Sequence, residues 1–252
     1  MKKILFLLLL ISGFSKAQTA NDLFKKANEL YKEGGYLEAI ETYEKIEDSL
    51  LVSSELYYNI GNCYYKLNKV APTIYNYEKA LQLDPLNLDA SNNLVFAKRL
   101  TIDNIEEVPK SFLQKFNKNY LQKLSYNQWA IVAVLFSFLV TVLFLLFYFS
   151  NIPSRKRFFF TTSILSLLLL IVSLFITYNQ YTLEKNTIEA IIFAEETPVK
   201  NAPTINSEDV FTLHEGTKVL VLDEIDEWKK IKLADGKIGW ILSENLKVLG
   251  LF

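Results

Sequence analysis

The chain has one cysteine, Cys63, and one histidine, His214, among 252 residues. That scarcity excludes a disulfide framework and a Cys/His zinc cluster. Two readings stay open for Cys63: a bond to another chain, or a small buried residue. A phosphate-binding glycine loop, a zinc-helix motif and a serine elbow are also missing. His214 has Glu215 beside it but no nucleophile held in reach, so no enzyme is expected and no catalytic, cofactor or metal site is assigned. Charge is absent from one long stretch, where only Arg155, Lys156 and Arg157 occur between Lys123 and Glu184.

That stretch holds two apolar runs, Trp129–Phe149 and Phe158–Tyr178, each of 21 residues. As a helix each spans about 31 Å, the thickness of a bilayer's hydrocarbon core. A soluble amphipathic helix would interleave polar residues, which these runs lack. They predict a membrane hairpin, with no ionisable side chain inside either run to suggest an ion pathway. The joining loop Ser150–Arg157 carries three cations and no acid, so it should stay in the cytoplasm and send both flanks outward. Tyr126 and Trp129 at one run's outer end match Tyr178 and Tyr181 at the other's, as headgroup-level aromatics do. Small residues (Ala133, Ser137, Thr141; Thr162, Ser166, Ser173, Thr177) would let the helices approach closely.

Met1–Ala17 reads as a secretory signal peptide: Lys2 and Lys3, then an apolar Ile4–Ile11, then Ser15-Lys16-Ala17 as a small-x-small cleavage site. Left uncut, it would be a short anchor with the same exported side. Both signals place Gln18 onward outside the cytoplasm.

Asn21–Pro85 repeats with a step of 34 residues, pairing Asn28/Asn62, Tyr31/Tyr65, Ile40/Ile74, Tyr43/Tyr77, Glu44/Glu78 and Lys45/Lys79. Small residues at Ala27, Ala39, Gly61 and Ala80 would let neighbouring helices touch. With Gly61, Tyr64, Tyr77, Ala80 and Pro85 at their stations, Asn59–Pro85 resembles the tetratricopeptide repeat. Gly34-Gly35 supplies the turn of the first copy, and Asp89–Leu100 a capping helix. The resemblance implies a groove lined by the first helix of each pair, here Phe24, Asn28, Tyr31, Lys32, Tyr58, Asn62, Tyr65 and Lys66. The asparagine and lysine pairs would hold a peptide backbone and its carboxylate. The other reading makes them solvated surface and some tyrosines core.

Within Ile102–Asn127, Phe112, Phe116, Tyr120 and Leu124 recur every four residues among Lys110, Lys115, Lys118 and Lys123. This is an amphipathic helix that either lies on the outer leaflet or packs on the repeats. Beyond Tyr181 the period becomes two. Strands are expected at Ile188–Ala194, Val210–Leu213, Lys218–Leu222, Trp228–Leu233 and Ile238–Leu242, broken at Glu215-Gly216, Asp226-Glu227 and Asp235-Gly236. The glycines and tryptophans of Gly216–Ile241 resemble the bacterial SH3-like domain. That family's segment before the second strand is reduced here to Pro198–Pro203. Trp228 and Trp240 read as core rather than as a ligand platform. With 13 acids against 8 bases over Glu184–Phe252, nucleic acid is not an expected partner.

The expected fold class is thus a multidomain membrane protein: an all-α tetratricopeptide solenoid, a two-helix transmembrane hairpin and a small all-β SH3-like barrel. Its segments are 1–17 (signal), 18–101 (repeats and cap), 102–127 (linker), 128–150 and 158–180 (spans), 151–157 (loop) and 181–252 (barrel). This order resembles the BatE family of the Bacteroides aerotolerance system. The resemblance implies an inner-membrane protein with periplasmic ends. It also implies partners among von Willebrand factor A domain proteins of the MoxR-linked system. Three functions are weighed: a non-catalytic adaptor, a peptidoglycan-binding or sensing protein, and an enzyme.

Overall fold

The computed structural model describes residues 20–250 except Leu50, Glu107 and Lys110. The signal peptide expected at Met1–Ala17 and Lys110 of the basic flank lie outside the described residues. The chain forms two compact units. One joins the described residues up to Val108 with those from Ile188 onward, and the other is Pro109–Thr187.

The first unit begins with helices α1 (20–32), α2 (Tyr36–Glu47), α3 (Ser54–Lys66), α4 (Val70–Leu83) and α5 (Leu88–Lys98). Two of the starts are capped by side chains: Ser53 Oγ accepts from Leu56 N at 3.1 Å, and Asn87 Oδ1 from Ala90 N at 2.9 Å, satisfying donors that the helix leaves free. The turns between paired helices repeat as well. Gly34 has φ +86° and Asn68, one 34-residue step later, φ +55°, both left-handed positions that these residue types tolerate. Ala27, Ala39 and Ala80 are wholly buried at helix contacts. A Cβ on Gly61 would stand 2.6 Å from the Tyr77 ring, so glycine sets how closely α3 and α4 approach. Val95 of α5 occupies the next equivalent position and is exposed. A branched side chain there fills the notch that a following helix would need.

Seven antiparallel strands follow among the described residues: β1 (Ile188–Ile192), β2 (Glu196–Lys200), β3 (Asp209–His214), β4 (Lys218–Ile225), β5 (Trp228–Lys232), β6 (Ile238–Leu242) and β7 (Leu246–Val248). Their order across the sheet is β3-β2-β6-β5-β4-β1-β7. All five expected strands are present. β2 and β7 add to them: one contains Pro198 and the other is three residues long, so neither carries a strong period-two signal. The three turns fall where the sequence placed them, with positive φ at Gly216, Asp226 and Gly236. Alternate side chains (Ala190, Ile192, Val199, Val219, Ile231, Ile241) form the core. Trp228 and Trp240 are each only 8% exposed, as core residues are.

Helices and sheet share a second core. Ala71, Ile74, Tyr75 and Tyr77 of α4 and Leu94 and Ala97 of α5 pack with Ile191 of β1 and Leu249. Every residue of α4 from 71 to 80 is therefore buried, save the half-buried Pro72. The segment 101–108 runs on from the helices to the sheet. Ile105 packs against the sheet core, and Val108 N donates to Ala234 O at 3.1 Å.

The second unit holds α6 (Phe112–Tyr120), a short 3-10 turn (Leu121–Lys123), α7 (Tyr126–Phe149) and α8 (Pro153–Asn186). α7 and α8 are long and apolar enough to cross a membrane and pack along each other. Large residues such as Leu135, Phe138, Leu168 and Phe175 face outward, while Ala133, Ser163, Ser166 and Ser173 are buried between the helices. That is the inverse of a soluble helix pair. Ser137 and Thr141 are exposed instead, because a four-residue step turns about 40° around the helix and carries the stripe off the contact. α8 starts at Pro153, so Arg155, Lys156 and Arg157 belong to its first turns rather than to a loop. Proline suits such a start, since its missing N–H has no partner there in any case.

Candidate functional site

The expected groove residues lie on α1 and α3, with unequal access. Lys32 and Lys66 are exposed, Tyr65 is 38% exposed, and Phe24, Asn28, Tyr31, Tyr58 and Asn62 are half-buried. Three of the four aromatics pack on tyrosines of the second helices: Phe24 edge-on to Tyr43 at 5.7 Å, Tyr31 edge-on to Tyr36 at 5.4 Å, and Tyr58 on Tyr77 at 6.0 Å.

The asparagines are held by a bonding pattern that repeats with the sequence. Tyr43 OH donates to Asn28 Oδ1 at 2.5 Å, and Asn59 Nδ2 donates to the same oxygen at 3.2 Å. One step on, Tyr77 OH donates to Asn62 Oδ1 at 2.7 Å, and Asn93 Nδ2 joins at 3.0 Å. Each triad ties three successive helices. Burial pushes both tyrosine hydroxyls far above their ordinary pKa, so they remain donors. The two asparagine oxygens are thereby committed to the fold. Their Nδ2 groups have no acceptor among the described residues and are the donors left for a peptide carbonyl.

Sequence reasoning missed two exposed residues, one on α5 and one directly after it. Phe96 and Arg99 stand one 34-residue step beyond Asn62 and Tyr65, with the Arg99 guanidinium carbon 5.2 Å from the Phe96 ring centre. Extending the same period past Pro85 would have found them. Cys63 is wholly buried, and burial pushes its thiol up to about 12. It is a core residue, and its thiol is inert.

The sheet docks on α4, where charge is organised as tightly as apolar surface. Glu78 accepts from Lys98 at 2.8 Å and from Lys218 at 2.8 Å, and Lys218 reaches Glu189 at 2.7 Å. Burial alone would raise the Glu78 carboxyl, but the two ammonium groups outweigh it and hold it below the usual range. Burial likewise opposes the charge on Lys218, and Glu78 and Glu189 outweigh that. A second cluster closes the other side. Asp103 accepts from His214 N at 2.8 Å and Thr217 Oγ1 at 2.6 Å, and its other oxygen lies 2.7 Å from His214 Nδ1. Desolvation works against the Asp103 charge, yet these hydrogen bonds hold its pKa low. His214 is thus engaged with Asp103 rather than with its neighbour Glu215, whose carboxylate instead accepts from Ala71 N in the first turn of α4 at 3.3 Å, where the helix dipole favours an anion. Tyr75 OH bonds Val248 O at 3.3 Å, and its ring meets Phe193 edge-on.

Residues 54–87 match the tetratricopeptide repeat family, and residues 195–247 match the bacterial SH3 domain family. No curated protein matches the chain.

Proposed function

We propose that this protein is a membrane-anchored periplasmic adaptor of the BatE kind, without catalytic activity. The observation that carries the reading is the pairing of two binding modules in one unit with two helices that turn their large apolar side chains outward. The residues before and after α7 and α8 fold together, which suits an even number of crossings that returns the chain to the side it left. The cations Arg155, Lys156 and Arg157, with no acid nearby, favour a cytoplasmic turn and a periplasmic outer unit.

In this reading α1 to α5 form a short tetratricopeptide solenoid and α7 with α8 a transmembrane hairpin. Phe24, Tyr31, Tyr58 and Tyr65 give the groove an aromatic floor. Asn28 and Asn62 donate to the backbone of an extended segment, and Lys32 and Lys66 meet its carboxylates. The partners are membrane proteins with von Willebrand factor A domains, tied to a MoxR-type ATPase and to oxygen or stress tolerance.

A photo-crosslinker placed at Tyr65 in cells tests this. Capture of membrane or periplasmic proteins, lost on Asn62→Ala with Lys66→Ala, is the expected result; recovery of none counts against the adaptor. Reporters fused within Ser150–Arg157 and after Phe252 should lie on opposite sides of the membrane.

The match over residues 195–247 supports a second reading, contact with peptidoglycan through the SH3-like barrel. Retention of the solubilised full chain on purified wall would favour it, and passage through unretained would end it.

A further inference from the structure

We propose that α6 is an interfacial helix whose aromatic stripe sits in the headgroup layer of an anionic lipid surface. This rests on the reading of α7 and α8 as a transmembrane pair. Sequence and structure both lead to lipid. From Val108 to Leu183 the chain has no acidic residue, while Lys115 lies on the helix and Lys123 just beyond its end. On α6, Phe112 is 81%, Phe116 46% and Tyr120 64% exposed. Four-residue steps keep the three rings within an arc of about 80°. The Phe116 and Tyr120 rings pack at 5.0 Å and form a continuous ridge. Lone exposed aromatics are ordinary, but a ridge of three on one short helix needs a cover.

The helix is held where such a cover would be. Ser111 and Gln114 close a capping box at its start, and Ser125 and Gln128 close another at the start of α7, fixing both ends of the joint. Between them, the Leu121 carbonyl accepts from Trp129 Nε1 at 2.9 Å and from Gln180 Nε2 at 2.6 Å. The end of α6 is thus tied to the first turn of α7 and to α8 where its apolar run gives way to polar residues. Tyr126 and Tyr181 meet edge-on there at 5.7 Å, the level that aromatic belts occupy. A helix pinned at that depth, ridged with rings and carrying only cationic charge on and beside it, fits the boundary between acyl chains and anionic headgroups.

The test uses the full chain in vesicles of phosphatidylglycerol and phosphatidylethanolamine. Cys63 is buried and no other cysteine occurs, so an environment-sensitive label goes to introduced cysteines. Phe116→Cys marks the ridge, Gln114→Cys and Asn117→Cys other faces of α6, and Phe138→Cys the middle of α7. The label at 138 should be quenched by deeply brominated lipid, and that at 116 by lipid brominated shallowly, about 5–10 Å into the boundary between headgroups and acyl chains. Those at 114 and 117 should be more open to aqueous iodide than that at 116. In phosphatidylcholine alone the quenching at 116 should fall severalfold, since each lysine near an anionic surface favours binding roughly fivefold. A deep label at 138 with 116 open to iodide, or shielded from both quenchers by protein, overturns the proposal while leaving the transmembrane pair intact. Unchanged quenching in phosphatidylcholine overturns the anionic preference. Iodide access at 138 removes the transmembrane reading itself, and this proposal with it.

Discussion

Lys218 Nζ stands 2.8 Å from Glu78 Oε2, joining a strand to a helix 140 residues earlier in the chain. Glu78 would not be buried alone, because an unpaired charge there is strongly destabilising. Glu78→Ala should therefore lower the unfolding free energy of the first unit by about 2–3 kcal/mol. That is less than the roughly 3–5 for a fully buried pair, because Lys98 and Lys218 still reach water. Denaturant titration of Glu78→Ala, Lys218→Ala and the double variant should show coupling above about 0.5 kcal/mol. Additive effects would mean the bridge contributes little.

The same groups set a pH window. Glu78 and Asp103 have carboxyls held below their ordinary values. Their contribution is complete above the usual carboxylate range and is lost as pH falls through their depressed folded values. Lys218 is raised, so its contribution is complete below the ordinary lysine range and is lost as pH rises through the higher folded value. Tm should therefore be highest between about pH 5 and pH 10 and fall on both sides. Glu78→Gln should flatten the acid limb, as Tm against pH will show.

Two glycines mark close approaches. Gly216 has φ +84°, and a Cβ there would lie 2.8 Å from Thr101 and 2.9 Å from Ile74. Gly216→Ala adds backbone strain to a clash at the docking surface and should cost about 2–3 kcal/mol. Hydrogen exchange should then rise in both α4 and β1, where a purely local fault would raise only the turn. Gly61→Ala, against the Tyr77 ring, should cost about 1–3 kcal/mol and loosen α3 from α4.

Asp103 and Ile105 make the segment 101–108 part of the sheet domain. Asp103→Ala removes the acceptor of three groups and should cost about 2 kcal/mol, and Ile105→Ala, half-buried, about 1–3. Both should raise hydrogen exchange at residues 214–217 and in β3, while the asparagine–tyrosine triads of α1 to α5 stay protected.

The sequence was informative wherever one period controlled the structure. The 34-residue step located the helices and the small contact residues, and Gly34-Gly35 marked the first turn; alternation located five strands, while the equivalent left-handed turn at Asn68 came only from the structure. The asparagines were legible as a pair but not as acceptors of Tyr43 and Tyr77, since periodicity marks equivalent positions without saying what they touch. Docking was not legible at all. Glu78, Lys98, Asp103 and Lys218 look like ordinary solvated charges, and nothing local marks residues so far apart in sequence as partners. Phe96 and Arg99 lie past Pro85, in a third and incomplete copy of the period where Val95 replaces the small contact residue.

The place of Ile105 in the sheet core bears on how the protein is made. Its pocket is built from strands that leave the ribosome long after it, with all of α7 and α8 synthesised in between. Until the strands arrive, the segment after α5 holds the Ile105 side chain and the Asp103 carboxylate without the partners that receive them in the folded unit. The first unit can therefore close only after β4, β5 and β6 have been made, later than all of α7 and α8.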